Sequence, residues 1–115
     1  MVDYWGSDFT ELQKKVRSLR NGRDVEKAIV DYLRKREISF LHSIEISVGE
    51  GISEIDFIFP EFRVVWEVKL TERENSTWQQ KVHSNYADLR RFEYIRSVGR
   101  DEILEDLKRI VPPPI

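Results

Sequence analysis

Between residues 39 and 70 the apolar side chains recur at every second position in three successive runs, each of the first two closed by a tight turn. In Ser39–Val48 the residues Phe40, His42, Ile44, Ile46 and Val48 share one face of an extended chain. Gly49-Glu50-Gly51 turns the chain, and Ile52–Phe59 sets Ile55, Phe57 and Phe59 against Glu54, Asp56 and Ile58. Pro60 and Glu61 turn it again, and Phe62–Leu70 sets Phe62, Val64, Trp66, Val68 and Leu70 against Arg63, Val65, Glu67 and Lys69. Period two sustained through two turns excludes an all-helical chain and predicts an antiparallel meander, around which everything else must pack.

The flanks carry the helical period instead. A first helix is expected from Ser7 or Asp8, where Asp8 and Glu11 have capping-box spacing, with Phe9, Leu12, Val16 and Leu19 as its apolar stripe. Asn21 and Gly22 are expected to end it, Gly22 taking the left-handed cap. A second helix is expected over Asp24–Arg36, with Val25, Ala28, Ile29, Tyr32 and Leu33 inward and Glu26 on the border of that stripe. After the meander, residues 71–76 read as a polar loop, Trp78–Arg91 as a helix, Phe92–Arg96 as a short strand and Arg100–Val111 as a last helix. The order is ααβββαβα: one domain over residues 1–115, of α+β or α/β class, with a mixed sheet flanked by helices.

Composition narrows the chemistry. The chain has 115 residues, no cysteine and two histidines, His42 and His83. Disulfides, cysteine-ligated zinc, iron–sulfur clusters, thiol catalysis and a histidine-rich metal site are therefore excluded. No apolar run approaches the ~20 residues of a membrane helix, and the N-terminus lacks the apolar segment of a signal peptide. The expectation is a soluble, intracellular, cytoplasmic protein without a membrane partner, whose chemistry comes from carboxylates, lysine and arginine. The net charge of −2 hides an uneven distribution: +3 over residues 1–36, −6 over 37–75 and +1 over 76–115. The acid concentrates in the expected strands, as it would for a metal site and equally for an acidic surface.

Asp56, Glu67 and Lys69 stand out within that acidic third. Glu67 and Lys69 are two apart on an expected strand and leave the same face, and the hairpin brings Asp56 alongside. Two adjacent carboxylates repel unless a cation lies between them. Mg²⁺ suits such a site, since it takes one or two protein carboxylates and fills its octahedron with water and phosphate oxygen. Lys69 beside them would hold a phosphate or orient the attacking water. A cross-strand Glu–Lys pair on a solvated face, worth ~0.2–1 kcal/mol, is the competing reading. The spacing acid-any-Lys recurs at Asp106–Lys108, on an expected helix without a hairpin carboxylate, and carries no such implication.

A helix acid, a strand Asp, Glu-x-Lys and then a helix resembles the PD-(D/E)xK nuclease superfamily, the restriction-endonuclease-like fold, over about residues 20–110. Glu54-Ile55-Asp56-Phe57-Ile58-Phe59-Pro60-Glu61-Phe62-Arg63-Val64-Val65-Trp66-Glu67 is similar to the hairpin of very-short-patch-repair-type endonucleases. Small archaeal Holliday-junction resolvases are similar in size and in their Glu…Asp…Glu-x-Lys order. The resemblance implies a Mg²⁺-dependent DNA endonuclease, with Mn²⁺ as a substitute and RNA not excluded as substrate. It makes Glu26, Asp56 and Glu67 the metal carboxylates, Lys69 the catalytic lysine and Gln80 a residue near substrate. Ile55 stands where the superfamily motif has Pro. Glu67-x-Lys69 is the general superfamily form, which the repair subgroup replaces with histidines, so a generic nuclease fits better than mismatch repair. A junction-specific nuclease and a non-catalytic nucleic-acid-binding module on the same fold are the alternatives.

The expected nucleic-acid contacts are Lys14, Lys15, Arg17, Arg20 and Arg23 near the first helix, and Arg90 and Arg91 after the third. Arg34, Lys35 and Arg36, and further on Arg96 and Arg100, extend these clusters, and a solvated helix face would look the same. Tyr4 and Trp5 read as base-stacking or core-closing residues, Trp78 as core or rim. His42 reads as core packing, and His83, three residues after Gln80, as a second occupant of the same cleft or an ordinary satisfied histidine. A homodimer joined through the first segment or the last helix is the expected assembly.

Overall fold

The structure, a computed structural model, describes residues 6–49, 51–71 and 77–113. Its elements are α1 (Gly6–Ser18), α2 (Gly22–Lys35), β1 (Leu41–Val48), β2 (Gly51–Phe59), β3 (Val64–Lys69), α3 (Thr77–Leu89), β4 (Glu93–Val98) and α4 (Arg100–Ile110). The order ααβββαβα is the expected one and the class is α+β. The strands form one sheet in the order β1-β2-β3-β4. β1–β2 and β2–β3 are antiparallel hairpin pairs, whereas β3–β4 is parallel, with α3 as the crossover such a pair requires. No helix among the described residues is long and apolar enough to cross a membrane.

The two faces of the sheet are covered unequally. Phe57, Phe59, Val64, Trp66 and Val68 pack under α1, α2 and α4, while Ile55, Ile58 and Val65 meet α3 through Ala87 and Tyr86. On the first face the indole of Trp66, fully buried, donates to Ser97 Oγ (2.7 Å), which in turn donates to Asp106 Oδ2 (2.6 Å).

Helix ends depart from expectation at one junction. Asn21 belongs to α2 and not to the end of α1: its Oδ1 accepts from Asp24 N–H (2.8 Å) as an N-cap, and Gly22 is already helical. The carbonyls at the end of α1 are taken instead by Arg100, whose guanidinium donates to Val16 O (3.1 Å) and to Leu19 O. A side chain from the far end of the chain satisfies the carbonyls that a helix leaves open, so no glycine is needed there.

The expected strand faces also need correction. β1 and β2 hold one register from Val48↔Gly51 to Leu41↔Ile58, but Ser43 and Asp56 are left out of the ladder, and Ser43 takes a left-handed backbone (φ 54°). On one side of the gap Phe40 and Phe57 pack under α2; on the other, Ile44, Ile46 and Ile55 lie on the α3 face. A residue that leaves the ladder shifts the alternation by one, so each predicted apolar face is cut in two at this point.

Candidate active site

The same gap builds the site. β2 and β3 are paired from Phe59↔Val64 to Phe57↔Trp66 and then part, β2 continuing against β1 and β3 against β4 as far as Lys69↔Val98. Asp56 stands at the fork, 7% exposed, and its Oδ2 accepts from the N–H of Val68 (2.9 Å), replacing the ladder bond that the parting removes. Lys69, one position on, places Nζ 3.9 Å from the same Oδ2. Glu26, on the second turn of α2, faces this group from the other side and pairs through Oε1 with His42 Nε2 (3.1 Å).

The electrostatics are those of acids held against their preference. Burial pushes the Asp56 carboxyl above the ordinary range, and the Val68 N–H and the Lys69 ammonium only partly offset it. Glu26 is raised as well, first by burial and then by the charge of Asp56, with His42 pulling the other way. The charge of Glu54 adds to the raising of Asp56, and two raised acids, one of them raised by the other, form a place that favours an added cation.

Glu67 is placed differently. It is 1% exposed and points to the α3 face, where Oε1 meets Nδ1 of His83 and Oε2 accepts from the Tyr94 hydroxyl (2.7 Å). Nε2 of His83 lies 2.7 Å from Ser53 Oγ. Burial lowers the affinity of His83 for a proton and pushes the Tyr94 phenol up to about 12. A carboxylate oxygen only accepts, so the neutral ring carries its proton on Nδ1 and accepts from Ser53 on Nε2. The order Ser–His–Glu is that of a hydrolase triad, but Ser53 is 3% exposed and His83 1%, so no substrate reaches the hydroxyl.

Oxygen donors from α2, β2 and β3 have the hard character that Mg²⁺ takes. Asp56 and Glu26 make the bonds above through one oxygen each, and every carboxylate oxygen has two lone-pair sites, so Glu67 keeps capacity beside His83 and Tyr94. Among the described residues, however, no three acids or histidines converge on one point. The donor set fits a divalent ion in kind, and a cation would have to draw Glu26 and Glu67 towards Asp56.

The other expected residues separate. Gln80 is half-buried and lines a surface cleft of about 300 Å³ with Thr77, Lys81 and Tyr94. His83 does not share that cleft: it belongs to the buried chain on Glu67. His42 packs its ring on Phe57 (4.8 Å between centroids) as a core residue would, but its edge is exposed and turned to Glu26. Arg23 lies beside the site, lining a cleft of about 420 Å³ with Glu26, Lys27, His42 and Glu54. Lys14, Lys15, Arg17 and Arg20 are exposed along α1 and its exit, Lys15 pairing with Glu11 (3.6 Å). Arg90 and Arg91 follow α3 on the opposite side of the sheet, Arg90 stacked on Tyr86 (3.6 Å to the ring centroid). The basic clusters thus do not form one surface. Arg36 and Arg100 are spent on structure, Arg36 bonding Tyr32 Oη (2.8 Å) and Pro112 O (2.9 Å).

Trp78 is a rim residue, 49% exposed, with its ring over Gly51, where an added Cβ would stand 3.2 Å from it. Tyr4 and Trp5 lie outside the described residues. The apolar stripe of α4 is buried within the core, and its exposed face carries Asp101, Glu102, Glu105 and Arg109.

Comparison with known proteins found no matching family model, no matching curated protein and no matching solved structure.

Proposed function

We propose that this chain is a metal-dependent DNA endonuclease of the PD-(D/E)xK kind. The observation that carries the reading is Asp56: a buried carboxylate at a strand fork, raised by burial, with the ammonium of Lys69 3.9 Å away and Glu26 facing it. Asp56, Glu67 and Glu26 would hold the cation, and such an ion, when bound, supplies positive charge that activates water and offsets charge on the leaving oxygen. Lys69 orients the attacking water or stabilises the charge that develops on the phosphate, in a notch where burial strengthens its effect. Val68 N–H fixes the Asp56 carboxylate through Oδ2, the oxygen nearest Lys69. Arg23 and Lys27, on the rim beside Glu26, supply phosphate contacts next to the site. Substrate choice, with junctions as the first special case, lies beyond these residues.

A non-catalytic nucleic-acid-binding module on this fold is the second reading. It is favoured by the closed engagement of Glu67 with His83 and Tyr94 and by the spread of the carboxylates. One experiment separates the two. Labelled duplex, single strand, mismatch, flap, four-way junction and one RNA are incubated with Mg²⁺, Mn²⁺ or EDTA, using wild type and Lys69→Ala. Cutting that needs the metal and is lost in the variant supports the nuclease. Salt-sensitive binding without cutting transfers the reading to the module.

A further inference from the structure

The two edges of the sheet are finished differently. β4 is packed by both α3 and α4, whereas β1, among the described residues, is bonded to β2 alone and its outer side is open. Edge strands that stay single are blunted by lysine, proline or a bulge. β1 holds neither lysine nor proline, and its irregularity, Ser43, lies before the regular stretch Ile44–Val48. On the α3 face that stretch presents Ile44 and Ile46, half-buried, and Val48, 37% exposed. An open groove of about 600 Å³ runs between these side chains and Val82, Tyr86 and Leu89 of α3. Leu89, on its rim, is 83% exposed.

We propose that β1 pairs with β1 of a second copy of this chain, antiparallel about a two-fold axis at Ile46, so that one sheet runs through a homodimer. The strand itself selects this partner and register. Its ladder with β2 closes at Val48↔Gly51 with two residues between them, so Ile44, Ile46 and Val48 direct their backbone bonds to β2, and Glu45 and Ser47 direct theirs outward. An axis at Ile46 sets each Glu45 opposite the other copy's Ser47, and every outward N–H of this pair finds a carbonyl. On the α3 face it sets Ile44 opposite Val48, and these side chains close the groove beside Tyr86 and Leu89. An axis at Glu45 would oppose two carboxylates, and one at Ile44 would bring the left-handed Ser43 into the ladder. Such a contact is isologous and closes on itself. Its axis is normal to the sheet, so the clefts lined by Glu26 and His42 open on the same side in both subunits. The contact uses neither the first segment nor the last helix, and it stands whether or not the chain cuts DNA.

The chain has no cysteine, so a single introduced thiol reports the register. Ile46→Cys places two thiols at the axis, where facing Cα atoms stand about 4.5 Å apart, within disulfide reach. Ser47→Cys places them one step to either side of it, roughly 8 Å apart and beyond that reach. Mild oxidation of the full chain is expected to link Ile46→Cys into a covalent dimer and to leave Ser47→Cys unlinked on a denaturing gel. Sedimentation equilibrium is expected to show wild type dimerising reversibly. Ser47→Glu, which sets acids in opposition on both sides of the axis, is expected to weaken the dimer about 2–30-fold, and Ser47→Lys, which meets Glu45, to tighten it by a similar factor. Ser47 is exposed, so both variants keep the fold and test the contact even where Ile46→Cys does not fold. A wild type that is monomeric at its highest soluble concentration, equal linking in the two cysteine variants, or a dimer that both Ser47 variants leave unchanged overturns the proposal.

Discussion

The spacing acid-any-lysine occurs twice in this chain, and the two occurrences meet opposite fates. Asp106 is 8% exposed and belongs to a closed set: Ser97 donates to it, Trp66 donates to Ser97, and Arg109 lies 3.3 Å from its other oxygen. Lys108 turns away and lies over the ring of Phe9 (5.0 Å to the centroid). Asp56 is as deeply buried, yet it faces a second acid, Glu26, and has its lysine at 3.9 Å. Depth of burial does not separate these two acids. What separates them is whether the surroundings satisfy the charge or leave it in tension.

The largest expected effect breaks the symmetry of the two lysines. Lys69→Ala should lose about 10²–10³-fold in kcat while keeping the fold, as loss of a preformed charge-stabilising group does. Lys108→Ala, assayed on the same DNA, should leave kcat unchanged and lower stability by about 0.5–1 kcal/mol through the lost ring contact. Equal activity in both variants would erase the distinction between the two copies.

Next comes the response to metal. Mg²⁺ at a hundredfold over its dissociation constant should stabilise wild type by about 2.7 kcal/mol, seen as a rise in Tm, and Asp56→Asn should not respond. Asp106→Ala should respond as wild type does. That variant should itself be less stable by about 1–3 kcal/mol, because Ser97 is left buried without its acceptor.

The smallest effect sharpens the comparison through pH. Asp56 and Glu26 are raised in the fold above the unfolded values of 3.8 and 4.5. Their protonated forms are therefore favoured by folding, so the stability they add is full below those values and is lost as pH rises through the higher folded ones. Denaturant unfolding from pH 4 upward, without metal, should show this fall, and Asp56→Asn should flatten it. At pH 7 the same variant should be more stable than wild type by about 0.5–2 kcal/mol, since it removes one of two opposed charges. A variant less stable than wild type would mean that Asp56 holds structure as Asp106 does.

Much of the fold was legible because two periods write it. Alternation placed three strands and the helical stripes placed four helices, each within a few residues of its observed ends. The fork was not legible. Phe40, His42, Ile44 and Ile46 look like one face, and no residue type announces that Ser43 will take a left-handed backbone; that follows from β2 parting from β3, which is a fact about pairing. Asp56, Lys69 and Glu26 could be read from motif and order, and they do come together. Glu67 shares the motif but turns to the other face. His83 carried a weak signal: it follows Val82 and precedes Ala87 by four, so it lies on the inward stripe of its helix, where a histidine must find a partner. The partner, Glu67, could not be chosen from sequence among so many acids. Nor could the separation of the basic clusters, because which sheet face a helix covers depends on the crossover.

Arg100 closes the end of α1, more than eighty residues away in sequence. On the ribosome, where the chain emerges from its N-terminus, the first helix therefore waits for nearly the whole protein before its last carbonyls are covered. Trp66 waits as well, for Ser97 and then for Asp106. The end of α1 and the indole of Trp66 thus get their partners only from β4 and α4, the last two elements in sequence. A chain released short of residue 100 would carry the site's Asp56 and Lys69 without the frame that keeps them in place.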